Sequence, residues 1–233
     1  MTIESKLVKT YLNHPRYPNA KITAIFLLLL SIILSNFHWH DMNALAPFLA
    51  AKKSQVFESG EYWRLFTTTF VHGNLEHLLS NSMMLVFLSY FVSAFYGQFL
   101  TFLATIITGA LINYFVLYNS SLNITIVGIS GVIYFLWGFW LILYLFIEQR
   151  ITFFRRLINI IALFLILLIP TSYAPQTSYT AHYFGFFVGV VFAFIYYPFN
   201  SKKFKKYHFY EYRYIPNLEE NTKHIETLYS TDN

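Results

Sequence analysis

The 233-residue chain has no cysteine, which removes disulfides, thiolate chemistry and Cys-type zinc sites. Charge is nearly as scarce, at 12% of residues against 56% hydrophobic. A soluble domain covers its surface with roughly a quarter charged residues. The scarcity here is concentrated. No Lys, Arg, Asp or Glu occurs in the 71 residues between Glu76 and Glu148, the 45 between Arg156 and Lys202, or the 19 between Lys21 and Asp41. Hydrocarbon tolerates such runs, because an ionised side chain at its centre costs at least about 2.5–3.5 kcal/mol. The net charge of +5 does not point to nucleic acid, since the basic residues sit at the ends of the apolar runs. The N-terminus does not read as a cleavable signal peptide: its apolar run begins after about twenty residues, and Ser35-Asn36-Phe37-His38 is a poor cleavage site.

A spanning helix needs about 20 mostly apolar residues. The runs are cut by Tyr96-Gly97-Gln98, by Asn119-Ser120-Ser121-Leu122-Asn123, and by Pro170-Thr171-Ser172-Tyr173-Ala174-Pro175. The pieces predict six spans, over 22–37, 76–96, 99–118, 125–147, 151–169 and 180–199. The expected fold is thus an all-α, polytopic six-helix membrane bundle, with an N-terminal arm (1–20), a core (21–200) and a basic, polar tail (201–233). With six spans, 13 of the 16 basic residues share one side with both termini; Lys52, Lys53 and Arg64 lie on the other. Cytoplasmic loops carry the excess of Lys and Arg, so both termini are expected to be cytoplasmic. The connection between the first two spans is long and rich in aromatic residues, among them Phe48, Trp63 and Phe70. Either an interfacial segment or a folded, functional loop fits it. The tail from about 207 onward is expected to be loosely ordered.

Polar residues inside spans are costly, and those that cluster are candidates for function. His77 and Asn81 share a face in the outer turns of the second span. Ser130 lies in the outer part of the fourth, and His182 in the first turn of the sixth. A Ser hydroxyl needs a base to become a nucleophile, and neutral His is the usual one near pH 7. Asn and His side chains can serve as oxyanion donors. No acid lies in the spans near His182, so a Ser–His dyad is expected rather than a triad. Tyr134, one turn after Ser130, is placed to stack on His182. Gly128 and Gly131 flank the serine, and His182, Gly185 and Gly189 form a stripe suited to close helix packing. Taken singly, Gly-x-Ser-Gly in a membrane helix is more often packing than chemistry, a helix-terminal His is usually only solvated, and His77 with Asn81 could be one interhelical bond. Their convergence at one depth favours a site.

The string His72-x4-His77-x3-Asn81, the segment Gly128-Ile129-Ser130-Gly131 with Tyr134, and Ala181-His182-x2-Gly185-x3-Gly189 resemble the signatures of the rhomboid intramembrane proteases, in the family's order. Trp63-Arg64 resembles the Trp-Arg pair of the family's first loop, and the resemblance covers roughly residues 20–200. It implies that Ser130 is the nucleophile, His182 the base, and His77, Asn81 and the Ser130 amide the oxyanion hole, with His72 in support. It implies a serine endopeptidase without metal or cofactor, acting on transmembrane protein substrates in the lipid bilayer of a bacterial inner membrane. Many members carry a Glu before the glycine corresponding to Gly97; here Val92-Ser93-Ala94-Phe95-Tyr96 contains no acid. Two alternatives fit the same helices. One is an inactive relative that binds or escorts membrane clients. The other is a transporter or channel, against which stand the lack of an internal repeat and a polar cluster near one surface.

Overall fold

A computed structural model of the chain describes residues 2–41, 44–165 and 178–215. Strand β1 (Thr2–Lys9) and a 3-10 turn (Tyr11–Asn13) lead into α1 (Ala20–His40). Among the described residues, four more helices are long and apolar enough to cross a membrane: α5 (Leu75–Tyr96), α6 (Gln98–Tyr118), α7 (Ser130–Ile147) and α9 (Tyr179–Lys205). The expected fifth span begins as α8 (Phe153–Leu163), capped by the Thr152 hydroxyl; residues 166–169 of that span lie outside the described segments. The chain is a multi-pass integral membrane protein. Its lipid-facing positions are apolar, as with the exposed Phe26, Leu29, Met83 and Phe87. Small hydroxyl residues turn inward instead, among them Ser31, Ser89, Ser93, Thr101 and Thr105. Such residues let helices approach closely where lipid offers no hydrophobic drive to associate.

The most extensive helix pair is α7 with α9. A Cβ on Gly185 would overlap the carbonyl oxygen of Gly131, one on Gly189 that of Phe135, and one on Gly138 that of Phe186. The backbones of the two helices are therefore in direct contact at three levels. Both helices start on the face that carries the 41–74 connection, here called the loop face, and run parallel to the terminal face.

The long connection is folded, with Phe48, Tyr62, Trp63 and Phe66 left exposed. It forms α2 (Ala46–Leu49), the short strand β2 (Ala51–Lys52), α3 (Lys53–Phe57), α4 (Arg64–Thr67) and a 3-10 turn (Thr68–Phe70). Arg64 organises it: the fully buried guanidinium pairs with Glu61 and donates to the carbonyls of Pro47 (2.6 Å) and Ala50 (2.9 Å). Asn113 of α6 fixes the same segment from below by donating to the Leu65 carbonyl and the Thr69 hydroxyl, each at 2.8 Å.

Three sequence expectations need correction. The fourth span begins at Ser130 and not at 125, because Thr125–Ile126 forms strand β3, which pairs with β2. The sixth runs to Lys205, beyond the expected end at 199. The described part of the tail is ordered where the tail from about 207 was expected to be loose: β4 (Phe209–Ile215) pairs antiparallel with β1, and residues 216–233 lie outside the described segments. On the terminal face, the chain before α1 closes the turn between α5 and α6, where an acid was missing. The Tyr11 hydroxyl donates to the Phe95 carbonyl, and the Arg16 and Tyr17 amides donate to that of Ala94 at 2.7 and 3.0 Å.

Gly189→Ala should destabilise the protein by about 1–3 kcal/mol, the cost of overpacking a close contact. Gly73→Ala, whose new methyl would meet nothing nearer than 3.9 Å, should leave the melting temperature in detergent near that of the parent. Equal melting of the two variants would contradict the backbone contact.

Candidate active site

Ser130 is the first residue of α7, and the turn that delivers it is built from glycine. Gly128 adopts φ +119°, a conformation that side chains rarely take, and a Cβ there would lie 2.9 Å from Cε1 of His77. The His77 ring thus rests against the backbone two residues before the serine. The same turn is tied to the folded loop. The Gly128 amide donates to the Thr68 carbonyl at 3.0 Å, and the Thr68 hydroxyl accepts from the Ala51 amide at 3.2 Å while donating to the Ile126 carbonyl.

His182 lies in the first turn of α9, where the side chain of the N-cap Ser178 accepts from the amide of Ala181, the residue before the histidine. The His182 ring is buried, and Tyr134 stacks on it, with centroids 4.0 Å apart and planes 15° off parallel. Among the described residues, neither ring nitrogen has a hydrogen-bond partner, and no carboxylate orients the imidazole. Gly131, beside Ser130, would meet the Ala181 carbonyl oxygen at 3.4 Å if it carried a Cβ. The residue before the histidine therefore abuts the residue after the serine.

His77 and Asn81 stand in the first two turns of α5, whose N-cap, Asn74, accepts from the His77 amide at 2.8 Å. The Asn81 side-chain nitrogen is buried without a partner among the described residues. His72 is fully buried just before α5. Its Nδ1 lies 3.2 Å from the Ser35 hydroxyl, its amide donates to the same oxygen at 3.0 Å, and Trp39 donates to its carbonyl at 2.7 Å. Its ring meets that of His77 edge-on, at 5.0 Å between centroids. Burial, and then the adjacent His77, push His72 down to about 3, so it stands neutral.

A cavity of about 790 Å³ opens between the starts of these helices. Ser130, Gly128 and His77 line it, together with Glu76, Asn113 and Ser178; His182 and Asn81 do not. The histidine base candidate is thus covered, while the serine faces open volume. Among the described residues, no three His, Asp or Glu side chains converge as a metal-binding group.

The reading of the residues alone missed Ser35, Thr68, Asn74 and Asn113, which hold the site's parts in place. Asn74 was the most accessible of them, as a capping residue directly before the apolar run of α5. The others look like ordinary packing residues until the fold shows their partners.

The arrangement holds the groups that serine hydrolysis requires: a hydroxyl at a helix start, a neighbouring imidazole, and amide and ring donors close by. No curated protein matches the chain. The family model of the Rhomboid domain matches residues 59–199, which include Ser130, His182, His77, Asn81 and His72. That match takes in more than half of the chain, and the chain belongs to the rhomboid family.

Proposed function

We propose that the protein is an intramembrane serine endopeptidase, with Ser130 as nucleophile and His182 as base. It cleaves membrane proteins within or beside a transmembrane helix, near the loop face. One observation carries this reading: Ser130 and His182 open two parallel helices that are in backbone contact one residue beyond the serine, beside a cavity that the serine lines. The catalytic core in this reading is 21–200, flanked by cytoplasmic arms, in a bacterial inner membrane.

The chemistry follows from the placement. The His182 imidazole takes the Ser130 proton as the hydroxyl oxygen attacks the scissile carbonyl carbon. The oxyanion forms near the Ser130 amide, which as the first amide of α7 has no partner within the helix. The Asn81 side-chain nitrogen and the His77 ring supply further donors. His182 then gives its proton to the leaving amine, leaving an acyl-enzyme. Water, deprotonated by His182, hydrolyses the ester and regenerates the serine. No carboxylate holds the imidazole in this scheme; the Tyr134 stack does so by packing. The neutral, buried His72 supports His77 from behind and transfers no proton.

Ser130→Ala and His182→Ala should each abolish cleavage of a model transmembrane substrate by the purified protein, and the double variant should be no worse than either, because the two act as a unit. Substantial cleavage by Ser130→Ala would remove the assignment. A wild-type protein that folds, binds such substrates and never cleaves them would instead be an inactive escort.

Asn81→Ala should lower turnover about ten- to a hundred-fold with substrate binding nearly unchanged, less than the loss of a lone oxyanion donor because two other donors remain. Wild-type turnover with a lowered melting point would assign Asn81 to helix packing.

The cut should map to the part of the substrate nearest the extracytoplasmic surface, since 13 of 16 basic residues share a side with the termini, opposite Ser130. A cut near the substrate's cytoplasmic end, located by mass spectrometry, would invert this topology.

A further inference from the structure

The two ends of the chain form an antiparallel ribbon whose faces differ in kind. In the register of β1 and β4, Ile3 stands opposite Tyr214, Ser5 opposite Tyr212, and Leu7 opposite Tyr210. Directly opposed residues share a face, so these six make one continuous surface of three tyrosines, two aliphatic side chains and a serine. On the other face Glu4 stands opposite Arg213 and Lys6 opposite Glu211, base against acid. All of β4 is exposed, with Tyr212 at 63% and Tyr214 at 67%, so among the described residues nothing covers the aromatic face. A two-stranded ribbon in water is marginal by itself.

The base of the ribbon is held at the membrane. β4 starts four residues after Lys205, the last residue of the spanning helix α9. At that junction the Arg16 guanidinium lies 3.8 Å over the Tyr207 ring, and the Lys203 ammonium lies 5.7 Å over Tyr11. Lys202, Lys203, Lys205 and Lys206 cluster around the same point. α9, with 27 residues, is about 40 Å long, against about 30 Å of hydrocarbon. Its basic end therefore stands in the headgroup region.

We infer that the ribbon is an interfacial anchor, whose Tyr210–Tyr212–Tyr214 face rests on the headgroup layer of the terminal-face leaflet and whose adjoining lysines recruit anionic lipid. Tyrosine suits this zone, with an apolar ring and a hydroxyl that stays wet. The opposite face, with its matched charges, suits water. The charge also selects the occupant: a second copy would bring one lysine cluster towards another, whereas anionic headgroups complement it. Because β1 and β4 are the two ends of the chain, the anchor ties the first span to the last on the face opposite Ser130.

The lack of cysteine makes the test direct. Ser5→Cys on the aromatic face and Glu4→Cys on the charged face each give the full-length protein a single thiol for an environment-sensitive fluorophore. The protein is reconstituted in phosphatidylcholine vesicles with and without phosphatidylglycerol, and a quencher attached to the lipid headgroup is added. The label at 5 should shift to the blue and lose emission to the quencher in anionic vesicles, and the label at 4 should not. The difference should shrink in neutral vesicles and at about 1 M salt, where charge acts over only about 3 Å. Equal quenching of both labels, or none, would overturn the anchor. A label at 5 that is shielded in every medium yet beyond the quencher's reach would also overturn it, by placing protein on that face, from the 216–233 tail or from a second copy.

Discussion

The structure depends on one contact, the meeting of the α7 and α9 backbones at Gly131, Gly138, Gly185 and Gly189. In lipid two helices gain nothing by hiding apolar side chains from each other, so they associate through close packing and polar bonds. Side chains at these positions would hold the helices apart. Glycine removes that spacer and lets carbonyl oxygens of one helix approach Cα atoms of the other. Because the helices are parallel and the first contact lies one residue beyond Ser130 and three beyond His182, backbone geometry sets where these two residues stand relative to each other. Long flexible side chains take no part in it. One turn deeper, Tyr134 stacks on the His182 ring; in the proposed dyad that packing takes the place of the carboxylate that soluble serine proteases use.

A second constraint fixes the serine from the opposite direction. The turn before Ser130 is bound to the folded loop through Thr68 and through the β2–β3 pairing, and the loop is bound to α6 through Asn113. Those bonds are made where water is scarce, so an orphaned partner would be costly. The His77 ring packed on Gly128 then brings α5 to the same point. Three helices and a loop converge on the serine, while the lipid-facing surface needs only to be apolar. Polar groups turn inward here, and Thr68, Asn113 and Ser35 each bond a named neighbour, while the His182 ring nitrogens and the Asn81 side-chain nitrogen have no partner among the described residues.

Much of this was legible from charge spacing. The uncharged runs place four of the five long helices among the described residues within a few residues of their observed starts, because one misplaced charge in hydrocarbon outweighs any local propensity. The shared depth of Ser130, His182, His77 and Tyr134 was legible, since alternating topology puts the starts of α5, α7 and α9 on one face. The start of α7 was misread by five residues, because an isolated two-residue strand leaves no periodic trace and only Gly128 marks the turn. Ser35 and Asn113 were invisible for a different reason: a single polar residue in a span announces a bond but not its partner. The ribbon hid behind composition. Tyr210, Tyr212 and Tyr214 do alternate with charged residues, as a strand should, yet the pairing strand lies some two hundred residues away and no local rule joins them.

The most direct measurement is covalent. A mechanism-based serine reagent such as a fluorophosphonate is added to the protein in bilayers, and the adduct is located by peptide mass spectrometry. The account predicts a single adduct on Ser130 in the parent, and none on the correctly folded His182→Ala protein, because the hydroxyl reacts only when the imidazole takes its proton. Labelling of Ser130 at the parent rate without His182, or an adduct on any other serine, would contradict the pairing.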